Sequence, residues 1–232
     1  MTDSIDRTGT DSIDRTGDCA DPPHAGEPAA ALSQAAVAPA WRSPLRAIER
    51  MSTTRANARA GLAADVLASC VLIYLGLRRS DLTPAAGISI VLFGLVLFTF
   101  VEYCFHRWLF HGSVQVLEQG HRKHHEEPQA HDALPFFLPP LVALLLAGAL
   151  SIALPASVAF LLIGGIAGGY AAYGLTHTIF HTVRFRRPLA RRWAAAHHIH
   201  HYHPHSNFGV TTPLWDILLR TRYLAGEKRL AS

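Results

Sequence analysis

The chain has 232 residues, of which 50% are hydrophobic and only 16% are charged, whereas soluble domains carry about 25% charged residues. The formal charge of +4 could suit a nucleic-acid partner, but the arginines flank the apolar segments, where they favour anionic lipid head groups. The composition therefore excludes an ordinary soluble domain, argues against nucleic acid and predicts an integral membrane protein in contact with the lipid bilayer.

The N-terminal region has too few apolar residues to form a core. The sequence TDSIDRTG occurs twice in succession over residues 2–17, and a Pro-, Ala- and Gly-rich stretch follows. This composition predicts a disordered segment over residues 1–40. Residues 41–60 alternate apolar and arginine positions, which predicts an amphipathic helix on the membrane surface. A membrane-embedded domain is expected over residues 61–225.

Four apolar segments are candidates for membrane helices, which need about 20 residues. They are Leu62–Leu77, Pro84–Phe105, Leu134–Leu154 and Ala156–Thr176. The third contains Pro139-Pro140, which is expected to kink it. Basic residues before the first segment and after the last predict that both termini are cytoplasmic. The predicted fold is an all-α, multi-pass membrane protein with about four transmembrane helices and a cytosolic helical cap.

Ten of the fifteen histidines form four clusters beside the ends of these segments. The clusters are His106 and His111; His121, His124 and His125; His177 and His181; and His197, His200 and His201. Because the last two apolar segments form a hairpin, the predicted topology brings all four clusters to one membrane face. Imidazole binds iron, zinc, copper and nickel, and one octahedral ion uses about six ligands, so the clusters predict two metal ions.

In three clusters the histidines are three or four residues apart. On a helix, positions i, i+3 and i+4 share a face, so each of these clusters would present its histidines on one side of a helix. His106 and His111 are the exception, since five residues correspond to about 140° of rotation. Either the helix breaks between them or they serve different ions. The remaining histidines, which are His24, His131, His198, His203 and His205, are expected not to be ligands.

Three polar residues could accept a hydrogen bond from a ligating imidazole. Glu102 lies one turn before His106, while Asn207 and Asp216 follow the last cluster. An ion pair with nearby arginines is an equal alternative for Asp216.

Together these motifs resemble the fatty acid hydroxylase/sterol desaturase superfamily of integral-membrane di-iron enzymes. The resemblance covers about residues 85–222 and rests on EYxxHRxxFH over residues 102–111, the two HxxHH clusters, HxxxH over residues 177–181 and the NFGVTTPLWD sequence over residues 207–216. The first motif and Pro139-Pro140 are most similar to those of fatty acid 2-hydroxylases.

The resemblance implies a cytosolic site in which all ten clustered histidines bind two iron ions, with zinc as a possible substitute. It implies O2-dependent hydroxylation of a lipid acyl chain, with a sterol or carotenoid hydroxylase or desaturase as the alternative. The sequence has no haem-binding His-Pro-Gly-Gly motif, so electrons are expected from a separate cytochrome b5-like protein, ferredoxin or reductase. The expected location is the inner membrane in a bacterium or the endoplasmic reticulum in a eukaryote.

Two functions of other classes use the same residues. A metal transporter or storage protein would need ligands near the bilayer midplane, whereas these histidines gather beyond the helix ends. A membrane haem protein would need axial histidines on facing helices, which HxxHH clusters outside the bilayer do not supply.

Overall fold

A computed structural model describes residues 44–79, 82–131 and 133–225, and within these ranges the chain forms helices, turns and loops but no strands. The elements are α1 (Pro44–Ser52), α2 (Arg55–Arg78), α3 (Pro84–Cys104), a π-helical segment (Phe105–Phe110), α4 (Gln115–Glu126), α5 (Leu138–Leu150), α6 (Ala156–Thr182), α7 (Pro188–Tyr202) and α8 (Leu214–Leu218). The predicted all-α class is confirmed. The segment 1–40, predicted to be disordered, lies outside the described residues.

Helix α6 lies at the centre and packs most extensively against α2 and α3. It runs antiparallel to α2 and parallel to α3, so α3 and α6 finish at the same end of the bundle. Two glycines allow α3 to approach closely. A Cβ on Gly165 would lie 2.4 Å from the Val91 carbonyl oxygen, and one on Gly94 would lie 2.5 Å from the Leu162 carbonyl oxygen.

Three helices in the described ranges are long and apolar enough to cross a membrane, namely α2, α3 with the π-helical segment, and α6. The third predicted span is helical only over the 13 residues of α5. Pro139 and Pro140 lie in the first turn of α5, where backbone N–H groups have no acceptor within the helix. The prolines therefore begin this helix, and the predicted kink is wrong.

Other boundaries differ from the predictions for local reasons. The segment 41–60 is not one helix, because the Thr54 side chain accepts a hydrogen bond from the Asn57 N–H (3.1 Å) and starts α2 there. Helix α6 continues past Thr176, the predicted end, to Thr182. This extension carries His177 and His181 on the same rigid helix that crosses the bundle.

Candidate metal centre

All ten clustered histidines meet at the end of the bundle where α3 and α6 finish. In the described part of the chain they form two groups of five. The first group is His106, His111, His121, His125 and His200, and the second group is His124, His177, His181, His197 and His201. Within each group the candidate ligand atoms all lie within 4.8 Å of one another.

The Nε2 atoms of the first group face one another at nearly uniform distances. Nε2 of His121 lies 3.0 Å from that of His106 and 3.0 Å from that of His111. It also lies 3.0 Å from that of His125, and Nε2 of His111 lies 2.9 Å from that of His200. An octahedral ion with metal–nitrogen bonds of about 2.1 Å separates adjacent donors by about 3.0 Å. The spacing therefore fits a bound ion.

The second group shows the same pattern. Nε2 of His177 lies 2.9 Å from that of His124. Nε2 of His197 lies 2.8 Å from that of His181 and 3.2 Å from that of His201. These distances also match adjacent positions around one ion.

Backbone carbonyls fix the protonation of two imidazoles in the first group. His106 Nδ1 donates to the Phe208 carbonyl oxygen, and His200 Nδ1 donates to the Ser206 carbonyl oxygen at 2.7 Å. A carbonyl can only accept, so Nδ1 carries the proton and Nε2 presents a lone pair to its neighbours. Facing lone pairs repel one another unless a cation lies between them. The donor set is thus suited to a metal.

The π-helical segment explains the five-residue spacing of His106 and His111. Hydrogen bonds in a π-helix join residues five apart, so these two residues lie about one turn from each other. Their rings stack with centroids 5.3 Å apart, and both belong to the first group. The helix widens here; it neither breaks nor sends the two histidines to different groups. Gly112 follows the segment, and a Cβ there would lie 1.8 Å from the Trp108 carbonyl oxygen.

Each HxxHH cluster contributes to both groups. On α4, His121 and His125 join the first group and His124 joins the second. Around an α-helix, positions i and i+4 differ by about 40° whereas i+3 and i+4 differ by about 100°, which separates the middle histidine from the other two. Helix α7 repeats the division with the groups exchanged. These two helices therefore connect the groups, a division that the shared-face argument from sequence did not reveal.

Asp216 organises the loop that supplies the two carbonyls. Its side chain is buried and accepts hydrogen bonds from the N–H groups of Phe208 (2.9 Å) and Gly209 (2.8 Å) and from the Thr221 hydroxyl (2.7 Å). Asp216 therefore acts on the histidines through the backbone of residues 206–212, not through direct contact with an imidazole.

Glu102 holds the same loop from α3. Its buried carboxylate accepts hydrogen bonds from the N–H groups of Val210 (2.6 Å) and Thr211 (3.0 Å) and from the Thr211 hydroxyl. The prediction that Glu102 accepts a hydrogen bond from a ligating imidazole is wrong, because its partners are these three groups of the loop. Because Glu102 lies one turn before His106, it ties the loop to the helix that carries this histidine.

Asn207 shapes the loop through its backbone and side chain. It has a φ of 56°, a left-handed conformation that Asn adopts more readily than most residues. Its side chain donates to the Ala196 carbonyl (3.1 Å) and accepts from the Tyr223 N–H (2.9 Å). Sequence reasoning singled out Asn207 but not the two residues whose carbonyls contact the imidazoles. Phe208 carried no signal beyond its place in the NFGVTTPLWD sequence, and Ser206, which lies just before that sequence, carried none.

Burial lowers the pKa of those members of the two groups that lie beyond the membrane helices, and neighbouring imidazoles lower it further. The pKa of His111 falls to about 4, and those of His124, His200 and His201 fall to about 3. These imidazoles are neutral at pH 7 and present lone pairs without first losing a proton.

Four of the five histidines expected not to be ligands lie in the described part of the chain and belong to neither group. His131 accepts a hydrogen bond from Arg55 Nε (2.8 Å), and His203 stacks on the ring of Tyr223 with centroids 4.4 Å apart. The others are His198 and His205, which join neither group, and His24, which lies outside the described residues.

Comparison with known proteins gives consistent matches. Residues 91–221, more than half of the chain, match the family described as Fatty acid hydroxylase. Dihydroceramide fatty acyl 2-hydroxylase FAH2 of Arabidopsis thaliana is 30% identical over 174 residues, which cover 70% of this chain and 71% of that protein. Fatty acid 2-hydroxylase of Homo sapiens is 30% identical over 147 residues, which cover 57% of this chain and 39% of that protein.

A solved structure described as full-length scs7p, with only the hydroxylase domain visible, has the same fold. It aligns with a TM-score of 0.66 and 22% identity over 80% of this chain and 72% of that chain. The family match spans all ten histidines, the π-helical segment and the loop that supports His106 and His200. The chain belongs to the fatty acid hydroxylase family.

Proposed function

We propose that this protein hydroxylates the acyl chain of a membrane lipid at a pair of iron ions held by the ten histidines. The observation that carries the proposal is the pair of five-imidazole groups at the end of apolar, membrane-length helices. The activities named for the relatives, which act on fatty acids and dihydroceramide fatty acyl chains, support a fatty acyl substrate oxidised at carbon 2.

Each group would hold one iron ion through its Nε2 atoms. Zinc could bind the same imidazoles but has no redox chemistry, and oxidation of an unactivated C–H bond by O2 requires a redox metal. When bound, the iron pair supplies reductive activation of O2, in which one oxygen atom enters the C–H bond to give an alcohol and the other leaves as water with two electrons and two protons. A separate cytochrome b5-like protein, ferredoxin or reductase would deliver the electrons.

The position of the histidines favours oxidation close to a lipid head group. The groups lie where α3 and α6 end, so a substrate chain in the bilayer would present its first carbons to them while its polar head stays at the surface. Exposed apolar side chains on the helices, such as Leu92, Phe93 and Leu145, offer a surface that suits the acyl chain. Carbon 2 of a fatty acyl group meets this requirement, whereas carbons deep in the bilayer do not.

We also propose that the histidine end faces the cytoplasm. The connection from α6 to α7 and the start of α7 carry five arginines, which are Arg184, Arg186, Arg187, Arg191 and Arg192. Positively charged segments beside membrane helices favour the cytoplasmic side. Helix α2 begins at this end, and Trp215 and Thr221 form hydrogen bonds with α3 there, which supports placing both termini in the cytoplasm.

The proposal is tested by lipid analysis of a host that lacks such a hydroxylase. Cells expressing the protein together with a competent reductant should accumulate an acyl lipid that is heavier by one oxygen atom. His124→Ala removes a member of the second group and should abolish the product, whereas His203→Ala, which alters only the ring stacked on Tyr223, should retain most of it. An unchanged lipidome in cells with the parent protein, or equal loss in both variants, contradicts the proposal.

A further inference from the structure

The two groups of histidines differ in how their imidazoles are supported. In the first group, Nδ1 of His106 and Nδ1 of His200 each donate to a carbonyl of the loop 206–212. In the second group, Nδ1 of His197 and Nδ1 of His201 are buried and have no hydrogen-bond partner among the described residues. Two imidazoles of the first group are therefore oriented by hydrogen bonds from the loop, whereas His197 and His201 of the second group are not.

The loop is held rigidly by two buried carboxylates from different elements. Asp216 is 2% exposed and Glu102 is 6% exposed. Together they accept hydrogen bonds from four consecutive backbone N–H groups, those of residues 208–211. Removing either carboxylate would leave buried N–H groups of the loop without an acceptor. A buried polar group without a hydrogen-bond partner costs free energy, so the described loop conformation would be destabilised. The carbonyls of Ser206 and Phe208 belong to the same short loop and would move with it.

We infer that Asp216 and Glu102 are positioning residues for the first group alone, and that this group binds its metal ion more tightly than the second group does. The inference rests on the proposed metal centre. A carbonyl that accepts from Nδ1 fixes the ring orientation and raises the basicity of Nε2, and loss of such a partner lowers metal affinity by about 10–100-fold. His197 and His201 lack this support, so their rings are not oriented through Nδ1 and their Nε2 atoms are less basic.

The difference in metal affinity between the two groups is measured on the parent protein. The full chain, purified in detergent and stripped of metal, is titrated with Co²⁺ while visible absorption reports coordination. We expect two equivalents to bind in separate phases whose affinities differ by about tenfold or more. His106→Ala should remove the tight phase and leave the weak one, whereas His177→Ala should do the reverse.

The role of the carboxylates is measured in the same titration. In Asp216→Asn an amide NH2 faces the Gly209 N–H or the Phe208 N–H, so the tight phase should weaken by about 10–100-fold while the weak phase is unchanged. Glu102→Leu should act likewise. Glu102→Gln should keep the tight phase, because its amide oxygen still accepts from the backbone and its NH2 can donate to the Thr211 hydroxyl.

Trp193→Phe is the matched control. Trp193 Nε1 donates to the Val210 carbonyl (2.9 Å), so the variant removes a hydrogen bond to the same loop without affecting a carboxylate, and both phases should persist. Two phases of equal affinity in the parent protein, or equal weakening of both phases by Asp216→Asn, overturn the inference. A tight phase that Trp193→Phe weakens as strongly as Asp216→Asn does also overturns it. Absence of Co²⁺ binding at both groups instead overturns the proposed metal centre.

Discussion

The imidazoles of His124, His200 and His201 stay neutral at pH values where they would be protonated in an unfolded chain. Burial lowers the pKa of His124, His200 and His201 to about 3, whereas an ordinary histidine has a pKa of about 6.5. Between these values the unfolded chain binds more protons than the folded chain, so the folded state loses stability as pH falls through about 6.5. We predict that the Tm of the metal-free protein decreases continuously from about pH 7.5 to about pH 5.5, as measured by thermal unfolding in detergent.

A double variant provides the control for this prediction. His124→Asn combined with His201→Asn removes two imidazoles whose pKa is lowered in the folded state and keeps side chains that can form hydrogen bonds. The Tm of the double variant should therefore depend less on pH. A parent Tm that is constant over this range would contradict the pKa argument.

Residue type and spacing were enough to identify the histidines that come together, because the clusters lie beside the ends of apolar segments that the chain path brings to one end of the bundle. The groups that orient them were only partly predictable. The sequence predicts Glu102 and Asp216 as acceptors of hydrogen bonds from ligating imidazoles, but the groups that accept these bonds are the carbonyls of Ser206 and Phe208. Every residue has the same backbone carbonyl, so the loop conformation decides which carbonyl accepts a hydrogen bond from an imidazole. The residue type at that position therefore does not predict this role.

The π-helical segment is the element that aligns His106 with His111, and Gly112 is required at its end. Gly112→Ala would place a Cβ 1.8 Å from the Trp108 carbonyl oxygen, so the last turn of the segment must change shape and His111 must move from the first group. We predict that this variant binds about one metal ion fewer than the parent and loses most of its hydroxylation activity, as shown by metal analysis and lipid product.

Gly120→Ala is the natural comparison, since a Cβ at Gly120 on α4 meets nothing within 4 Å. This variant should keep its metal and is expected to stabilise the exposed helix by up to about 1 kcal/mol. If Gly112→Ala retains full metal content, the π-helical segment does not need glycine at its end and the geometric argument is wrong.

Predictions from residue spacing were wrong at two elements, for physical reasons. Spacing arguments assume 3.6 residues per turn, so the interval from His106 to His111 indicated a break where the helix widens. The apolar pattern predicts that Pro139 and Pro140 lie inside a long helix, although a proline pair is compatible with a first turn and α5 begins one residue before them. The starts of α3 and α6, by contrast, were predicted correctly, because Pro84 and the turn before Ala156 mark them clearly.

At the scale of the whole molecule, the close packing of α3 and α6 sets the position of His106 relative to His177. Gly165→Ala would place a Cβ 2.4 Å from the Val91 carbonyl oxygen, and neither backbone can yield without moving its helix. We predict a destabilisation of about 1–3 kcal/mol, a lower Tm and weaker metal binding at both groups.

Gly148→Ala tests whether any added methyl group has this effect. Gly148 lies on α5, and a Cβ there meets nothing within 4 Å, so Tm and metal content should match those of the parent. Equal Tm values for Gly165→Ala and the parent would show that the two helices are not held at the described separation.

The meeting of the four histidine clusters at one end of the bundle was predictable because few chain paths satisfy the apolar segments and the histidine positions together. Apolar length identified the three helices that are long enough to cross a membrane, and a hairpin before the last two clusters required all four clusters to share one end. What could not be predicted was the division of ten imidazoles into two groups, because it depends on how α4 and α7 face each other across the end of the bundle.

The most direct test of the account is the origin of the oxygen atom in the product. Cells expressing the parent protein and a competent reductant are grown under ¹⁸O2, and the hydroxylated acyl lipid is analysed by mass spectrometry. We predict one ¹⁸O atom in the new hydroxyl group, at carbon 2 of the acyl chain, and no such product with His124→Ala. A hydroxyl oxygen derived from water, or a labelled product that persists without His124, would contradict oxidation by O2 at this histidine centre.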